Sequence, residues 1–196
     1  EEIARCDNAG VTMGISVQTD MATPSLHRFG SDALRQQYLV PAIRGEAVAA
    51  IAVTEPGAGS DVAGIKTRAT RVEGGWVLNG QKVWTSLARQ AEWGICLART
   101  APDRPKHEGI SCLMVDMKTP GIDIRPLREL TGNETFNEVF FDDVFVPEDC
   151  LVGSEHDGWR CARTTLANER VYMGGSNTIG GGVVGALRAI EVRGLS

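Results

Sequence analysis

Residues 52–64 have the sequence AVTEPGAGSDVAG, and the first two of them end a continuous apolar run that begins at Ala47. A phosphate-binding P-loop is excluded here, because Lys66-Thr67 comes too late for the Gly-Lys-Ser/Thr ending of that motif. A dinucleotide-binding fingerprint is also excluded, because Val62 stands where its third glycine is needed. The stretch offers backbone N–H groups, hydroxyls and carboxylates at a strand end, either for a polar ligand or as a tight structural turn.

A second informative segment, NGQKVWTS, occupies residues 79–86. Asn79-Gly80 is typical of a two-residue hairpin turn, and the strand predicted after it carries Trp84 followed by two hydroxyl residues. Taken alone, a tryptophan in such a strand is more often part of the core than of a ligand site. The segment by itself therefore leaves both interpretations of Trp84 open.

Outward from these motifs, the sequence pattern divides the chain into three parts. Residues 47–153 contain short apolar or alternating runs between turn residues, which predicts an antiparallel β-barrel or sandwich. Residues 1–46 and 154–196 have apolar residues at helical spacing. The predicted fold class is therefore α+β, with a β domain flanked by helical segments.

Two features of the first 46 residues predict where a helix begins and ends. Ser31 stands just before a run of helical periodicity, which predicts an N-cap. Pro41 is unfavourable inside a helix, because it lacks an N–H and its ring crowds the preceding turn. We therefore expect this helix to end near Leu39.

The composition excludes several classes of protein. Of 196 residues, 42% are hydrophobic and 23% are charged, as in an ordinary globular protein. The formal net charge of -5 argues against nucleic acid as the main partner, and no apolar run reaches the length of a membrane span. The five cysteines form no Cys-x-x-Cys pair, so we predict no metal site and reduced thiols in a cytoplasmic protein.

Together, the two motifs resemble the acyl-CoA dehydrogenase family. The stretch at residues 52–64 fits the signature of that family, and residues 79–86 fit the segment that follows it. Further support comes from Tyr38–Ile43, Thr119–Ile122 and the strand predicted at residues 137–147. The resemblance extends from about Met13 to Gly175, so it covers most of the chain.

The resemblance implies an FAD-dependent α,β-dehydrogenation of an acyl-CoA thioester, in which a carboxylate removes the α-proton and the β-hydrogen leaves as hydride to flavin N5. The residues matching Val53 and Thr54 provide backbone and hydroxyl donors to the pyrimidine side of the flavin, where negative charge develops. The residue matching Trp84 packs beside the isoalloxazine. The cofactor contacts that we predict from the match are Val53, Thr54, Ser60, Trp84, Thr85, Ser86 and Arg170.

Ser86 departs from the family pattern, which usually has threonine near flavin N5. Serine keeps the hydroxyl and loses the β-branch that restricts its rotamer. For Glu55 and Asp61 we expect a structural role, in which each carboxylate accepts hydrogen bonds from backbone N–H groups of the loop.

The candidate catalytic base is Glu169, within the sequence LANER at residues 166–170. In a minority of the family the base is a glutamate at this place, followed directly by arginine, whereas in many members it lies further toward the C-terminus. An ordinary solvated glutamate is the alternative. A base should be partly desolvated, which raises its pKa toward the working pH. The predicted substrate contacts are Ser60, Ala167, Asn168, Glu169 and Arg170.

The resemblance also implies partners and leaves alternatives open. Members pass electrons to an electron-transferring flavoprotein and assemble as dimers or tetramers. The alternatives are an oxygen-using relative, either an acyl-CoA oxidase or a flavin monooxygenase, and a non-catalytic subunit or binding module of the same fold. Because the chain starts at Glu1 rather than at methionine, we expect an internal piece of a longer protein that binds FAD weakly or not at all on its own.

Overall fold

A computed structural model describes residues 14–174, and the first part of this range is helical. Its elements are α1 (Val17–Ala22, a π-helix), α2 (Pro24–Phe29), α3 (Asp32–Leu34), a π-helical turn (Arg35–Leu39) and α4 (Val40–Ile43). The predicted cap is confirmed, because the Ser31 hydroxyl accepts a 3.2 Å hydrogen bond from the Leu34 N–H.

The helical path continues through Pro41, so the prediction that it ends near Leu39 is wrong. The π-helical turn shifts the hydrogen-bonding register just before the proline, and the Val40 N–H donates to the Arg35 carbonyl. Pro41 consequently lies in the first turn of α4, where a residue without an N–H is tolerated.

A seven-stranded sheet forms the centre of the molecule. Its strands are β1 (Ala49–Ala52), β2 (Arg68–Val72), β3 (Gly75–Ser86), β4 (Trp93–Arg99), β5 (Ile110–Asp116), β6 (Ile122–Leu127) and β7 (Phe136–Pro147). The strand order is β1-β4-β2-β3-β7-β6, and β5 also pairs with β4. The sheet is curled into a half-barrel, which confirms the predicted β domain with helical flanks.

The sheet is mixed, which corrects the prediction of a purely antiparallel one. The pairs β2–β3, β3–β7, β6–β7 and β4–β5 are antiparallel, as predicted. Strand β1, however, runs parallel to β4, and β2 meets β4 in a single parallel pair, Arg68 with Arg99. The long connection from β1 to β4 makes a parallel pairing geometrically accessible.

Asn79-Gly80 lies inside β3 rather than in a hairpin turn, which corrects a second prediction. The β2–β3 hairpin turns instead at Glu73-Gly74, where Gly74 has φ +77°. Gly80 has φ +147°, and a Cβ there would lie 2.6 Å from Thr67 Oγ1. The ladder with β7 shifts register at this point, so the glycine forms a bulge under close approach of Thr67.

A long helix, α5 (Gly158–Gly174), packs against the sheet and the earlier helices. Helix α5 contacts α1, α2, β4 and β5. The Ser25 hydroxyl joins α2 to α5, because it lies 2.8 Å from Thr165 Oγ1 and donates to the Cys161 carbonyl at 2.9 Å. These buried hydrogen bonds hold α2 against α5.

Within residues 14–174, no helix is both long and apolar enough to cross a membrane. In the same part of the chain, no three histidine, cysteine or acidic side chains gather into a possible metal site. Four of the cysteines (Cys96, Cys112, Cys150 and Cys161) are buried there as free thiols, and Cys6 lies outside the described residues.

Replacing Gly158 with alanine is expected to lower the free energy of unfolding by about 1–3 kcal/mol, because added volume cannot be accommodated in a packed core. A Cβ at this position would lie 2.5 Å from the carbonyl carbon of Ser111, which is backbone and cannot move aside. Urea unfolding measures the effect, and Gly57→Ala is the matched control because a Cβ there meets nothing within 4 Å. Equal stability of the two variants would contradict this account.

Candidate active site

Lys82, a residue that the sequence analysis did not select, brings the two motifs together. Its side chain is fully buried, and Nζ donates to the Val53 carbonyl at 3.1 Å and to Glu55 Oε1 at 2.8 Å. One residue further, the Val83 N–H donates to the Thr54 carbonyl at 2.9 Å. The end of β1 is therefore held against the middle of β3.

Glu55 has the structural role that we expected for it. Its Oε2 accepts from the Lys66 N–H at 2.6 Å, and its Oε1 accepts from the Thr67 N–H at 2.9 Å. Burial raises the pKa of the Glu55 carboxyl, but the Lys82 ammonium and these hydrogen bonds outweigh burial, so the pKa lies below its ordinary value. Glu55 is therefore an ionised buried carboxylate that closes the loop.

Asp61 does not have the role that we expected. Both of its carboxylate oxygens accept from Lys106 Nζ at 2.9 Å, and its side chain makes no hydrogen bond to a backbone N–H within residues 14–174. This exposed ion pair joins the loop to the polar segment that follows β4. Arg99 reinforces the connection, since Nη2 donates to the Ala63 carbonyl.

Several polar groups of the two motifs remain available to a ligand. The Thr54 N–H and the hydroxyls of Thr54, Ser60 and Ser86 make no hydrogen bond to another residue of the described range. Thr54 and Ser86 are half-buried, and Ser60 is exposed. In contrast, the Thr54 carbonyl is already bonded, so this residue offers donors rather than its carbonyl acceptor.

Trp84 is exposed, which excludes the interpretation that it belongs to the core. Its side chain is 59% exposed, and its backbone has φ +62°, an unfavourable conformation for a bulky residue. The register between β3 and β7 shifts between Lys82 and Thr85, so the tryptophan lies on a bulge that turns it outward. The indole packs edge-on against the Phe136 ring at 5.8 Å.

Thr85 points the other way. Its side chain is 1% exposed, and its hydroxyl has no partner among residues 14–174. Its carbonyl accepts a 3.0 Å hydrogen bond from the buried Asn137 amide. The structure therefore places Val53 and Thr54 against the part of β3 just before Trp84. Ser86 lies two residues further along the same strand, and the Thr85 side chain is on the core side of β3.

The remaining predicted residues lie on α5. Ala167, Glu169 and Arg170 are exposed, and Asn168 is half-buried. Ala167, Asn168 and Arg170 line a groove between α2 and α5. Glu169 forms no ion pair or hydrogen bond within the described range, and that range does not provide the desolvation expected of a base.

Comparisons with known proteins agree with this fold. Residues 50–144 match the middle domain of acyl-CoA dehydrogenase, and residues 1–46 match its N-terminal domain. The acyl-CoA dehydrogenase FadE34 of Mycobacterium tuberculosis is 55% identical over 159 residues, which is 81% of this chain and 22% of FadE34.

Two solved structures are similar over most of the chain. One, described as the Tcur3481-Tcur3483 steroid ACAD, has a TM-score of 0.81 and 31% identity, covering 90% of this chain and 45% of that one. The other, an FAD complex of PigA, has a TM-score of 0.83 and 29% identity, covering 93% and 48%. The chain thus spans about a fifth of FadE34 and less than half of each solved chain.

The curled mixed sheet between helices is the fold of an acyl-CoA dehydrogenase middle domain with its helical flanks. The chain belongs to the acyl-CoA dehydrogenase family, whose members depend on FAD. The residues present suit that cofactor, because the pyrimidine edge of a flavin carries acceptors and the Thr54 donors have no partner within residues 14–174.

Proposed function

We propose that the protein containing this chain is an FAD-dependent acyl-CoA dehydrogenase, which removes hydrogen from Cα and Cβ of an acyl-CoA thioester. The observation that carries this proposal is the pair of free Thr54 donors next to the outward-turned Trp84. A bulky residue held at positive φ costs conformational energy, and such outliers concentrate at functional sites.

The residues of β1 and β3 would hold and shield the cofactor. Val53 and Thr54 would donate hydrogen bonds at the pyrimidine edge, the Ser86 hydroxyl would donate near N5, and the Trp84 indole would exclude water from the ring. When bound, FAD supplies the acceptor for the β-hydrogen, which leaves as hydride. Fixed donors at the edge where negative charge develops lower the barrier, because they need no reorganisation during the reaction.

Residues of the loop and of α5 would handle the substrate. Ser60 would border the thioester, and the Glu169 carboxylate would remove the α-proton as a general base. Ala167 and Arg170 are three residues apart on α5 and share one face of it, so with Asn168 they would line one side of the acyl site. Support for Glu169 comes from its place in the LANER sequence and from its carboxylate being free of any ion pair within residues 14–174.

The electron acceptor and the assembly are parts of the same proposal. We propose an electron-transferring flavoprotein as acceptor, a dimeric or tetrameric assembly and a cytoplasmic location. The steroid ACAD is described by two component names, which favours testing a hetero-oligomer as well as a homo-oligomer. The substrates to test are short branched acyl-CoAs, straight-chain acyl-CoAs and, because of that description, a steroid-linked acyl-CoA.

The test is the visible spectrum of the full-length, FAD-loaded protein under anaerobic conditions, before and after addition of each class of acyl-CoA. Bleaching of the flavin band by one class is expected and would name the substrate class. Fast reoxidation by air would assign an oxygen-using relative instead. Bound flavin that no acyl-CoA bleaches would favour a non-catalytic subunit, and a full-length protein that binds no flavin would overturn the proposal.

A further inference from the structure

The buried ion pair between Lys82 and Glu55 is not used by any step proposed above. Lys82 is fully buried and Glu55 is 6% exposed, and their closest charged atoms are 2.8 Å apart. Removing two charges from water costs about as much as their attraction returns, so a buried pair is weak evidence of a stabilising role. The position of the ammonium within the fold is more informative.

Lys82 Nζ also donates to the Val53 carbonyl at 3.1 Å. That carbonyl belongs to the same peptide unit as the Thr54 N–H, which has no partner within residues 14–174. A cation bound to the oxygen of an amide withdraws electron density from its nitrogen, so the N–H at the other end becomes a stronger donor. The effect is large only where water is excluded, as it is around Lys82.

We propose that Lys82 is a positioning residue for the cofactor, which fixes and polarises the Val53–Thr54 peptide so that the Thr54 N–H binds reduced FAD more tightly than oxidised FAD. The inference rests on the proposed function, because it assumes that Thr54 meets the pyrimidine edge. Reduction adds negative charge at this edge, and a stronger donor there favours the charged form. Glu55 serves to hold the ammonium in place.

The experiment compares the full-length, FAD-loaded protein with the double variant Lys82→Met/Glu55→Gln, which removes both charges and keeps similar side-chain volumes. The reduction potential of the bound flavin, compared with that of free FAD, gives the ratio of the protein's affinities for reduced and oxidised FAD. We expect this ratio to fall at least tenfold, which corresponds to a potential about 30 mV lower for a two-electron couple. A folded double variant with an unchanged ratio would overturn the proposal.

Lys106→Met is the matched control, because it removes a lysine from the exposed ion pair with Asp61, a residue of the loop that also contains Glu55. Its ratio should equal that of the wild type. Glu55→Gln alone gives a second test that does not depend on the double variant folding. It removes the carboxylate that holds the ammonium against the Val53 carbonyl, so its ratio should fall toward that of the double variant, and a ratio equal to that of the wild type would contradict the proposal.

Different results would contradict the proposed function and the role of Lys82. If the wild-type protein binds no flavin, the proposed function is wrong. If it binds flavin and the reduction potential of that flavin is the same in the wild type and in the double variant, only the role of Lys82 is wrong. Melting temperatures of the same variants without FAD measure the structural contribution of the pair separately, and a merely structural role would change those temperatures without changing the potential.

Discussion

The full-length variant Glu169→Gln is expected to reduce its flavin about 10²–10⁴ times more slowly than the wild type when acyl-CoA is added, which is the usual contribution of a general base. Glutamine has nearly the same shape as glutamate, but its amide cannot accept the α-proton. Glu169 makes no hydrogen bond or ion pair within residues 14–174, so its replacement should leave the fold of this part unchanged. FAD content and acyl-CoA affinity should therefore stay near wild type.

Rapid mixing under anaerobic conditions measures the rate at which the flavin band bleaches, and a titration under the same conditions measures acyl-CoA affinity. Glu73→Gln is the matched control, because Glu73 is an exposed glutamate in the β2–β3 turn. A wild-type rate in Glu169→Gln would show that the base is another residue. Loss of the rate together with loss of FAD would indicate a structural role for Glu169 instead.

Much of the β domain was predictable because each strand is specified by its own local pattern. The run that became β7 was predicted at residues 137–147, and it forms a strand at Phe136–Pro147. The pairing of distant strands was harder to predict. Nothing in the local pattern of β1 distinguishes a parallel neighbour from an antiparallel one, since that choice depends on how the later chain folds back.

The failure at Asn79-Gly80 has a similar cause. The dipeptide has a strong preference for a hairpin turn, but the β2–β3 hairpin turns at Glu73-Gly74, and Asn79 pairs with Arg68 inside the ladder. The glycine then serves a different purpose, since it lets Thr67 approach the backbone of β3. A local preference was thus overridden by a tertiary contact.

Within the candidate site, Val53, Thr54 and Trp84 could be selected from the sequence, whereas Lys82 was missed. Lysine is normally exposed, so a lysine in a strand suggests the solvent face. The alternation within β3 did contain a signal, because Lys82 follows Trp76 and Leu78 at even spacing and both of these are buried. That signal needed a carboxylate partner, and Glu55 became one only when the fold brought β1 against β3.

Replacing Glu55 with leucine is expected to lower the free energy of unfolding by about 3–5 kcal/mol, the usual result of removing one member of a buried ion pair. The change leaves the Lys82 ammonium buried without its carboxylate. It also removes the acceptor of the Lys66 and Thr67 N–H groups. Urea unfolding measures the loss, and the double variant Glu55→Leu/Lys82→Met should recover part of it, because an apolar pair leaves no charge unpaired while the Lys66 and Thr67 N–H groups still lack their acceptor.

The control for this loss is Asp61→Asn, which breaks the exposed ion pair with Lys106 on the same loop. Exposed pairs contribute below about 1 kcal/mol, so the variant should unfold close to the wild type. An equal loss in Asp61→Asn and Glu55→Leu would contradict the importance of burial. A double variant no more stable than Glu55→Leu alone would contradict the explanation through an unpaired charge.

The effect of Glu55 should also depend on pH, with a sign fixed by the direction of its pKa shift. Its pKa is lower in the folded protein than in the unfolded chain, so the carboxylate stabilises the fold above the ordinary glutamate pKa of about 4.3. This contribution is lost as the pH falls below that value and through the lower folded pKa. The stability difference between wild type and Glu55→Leu should therefore be full at neutral pH and shrink on acidification, and a difference that grows in acid would show that the folded protein prefers a protonated Glu55.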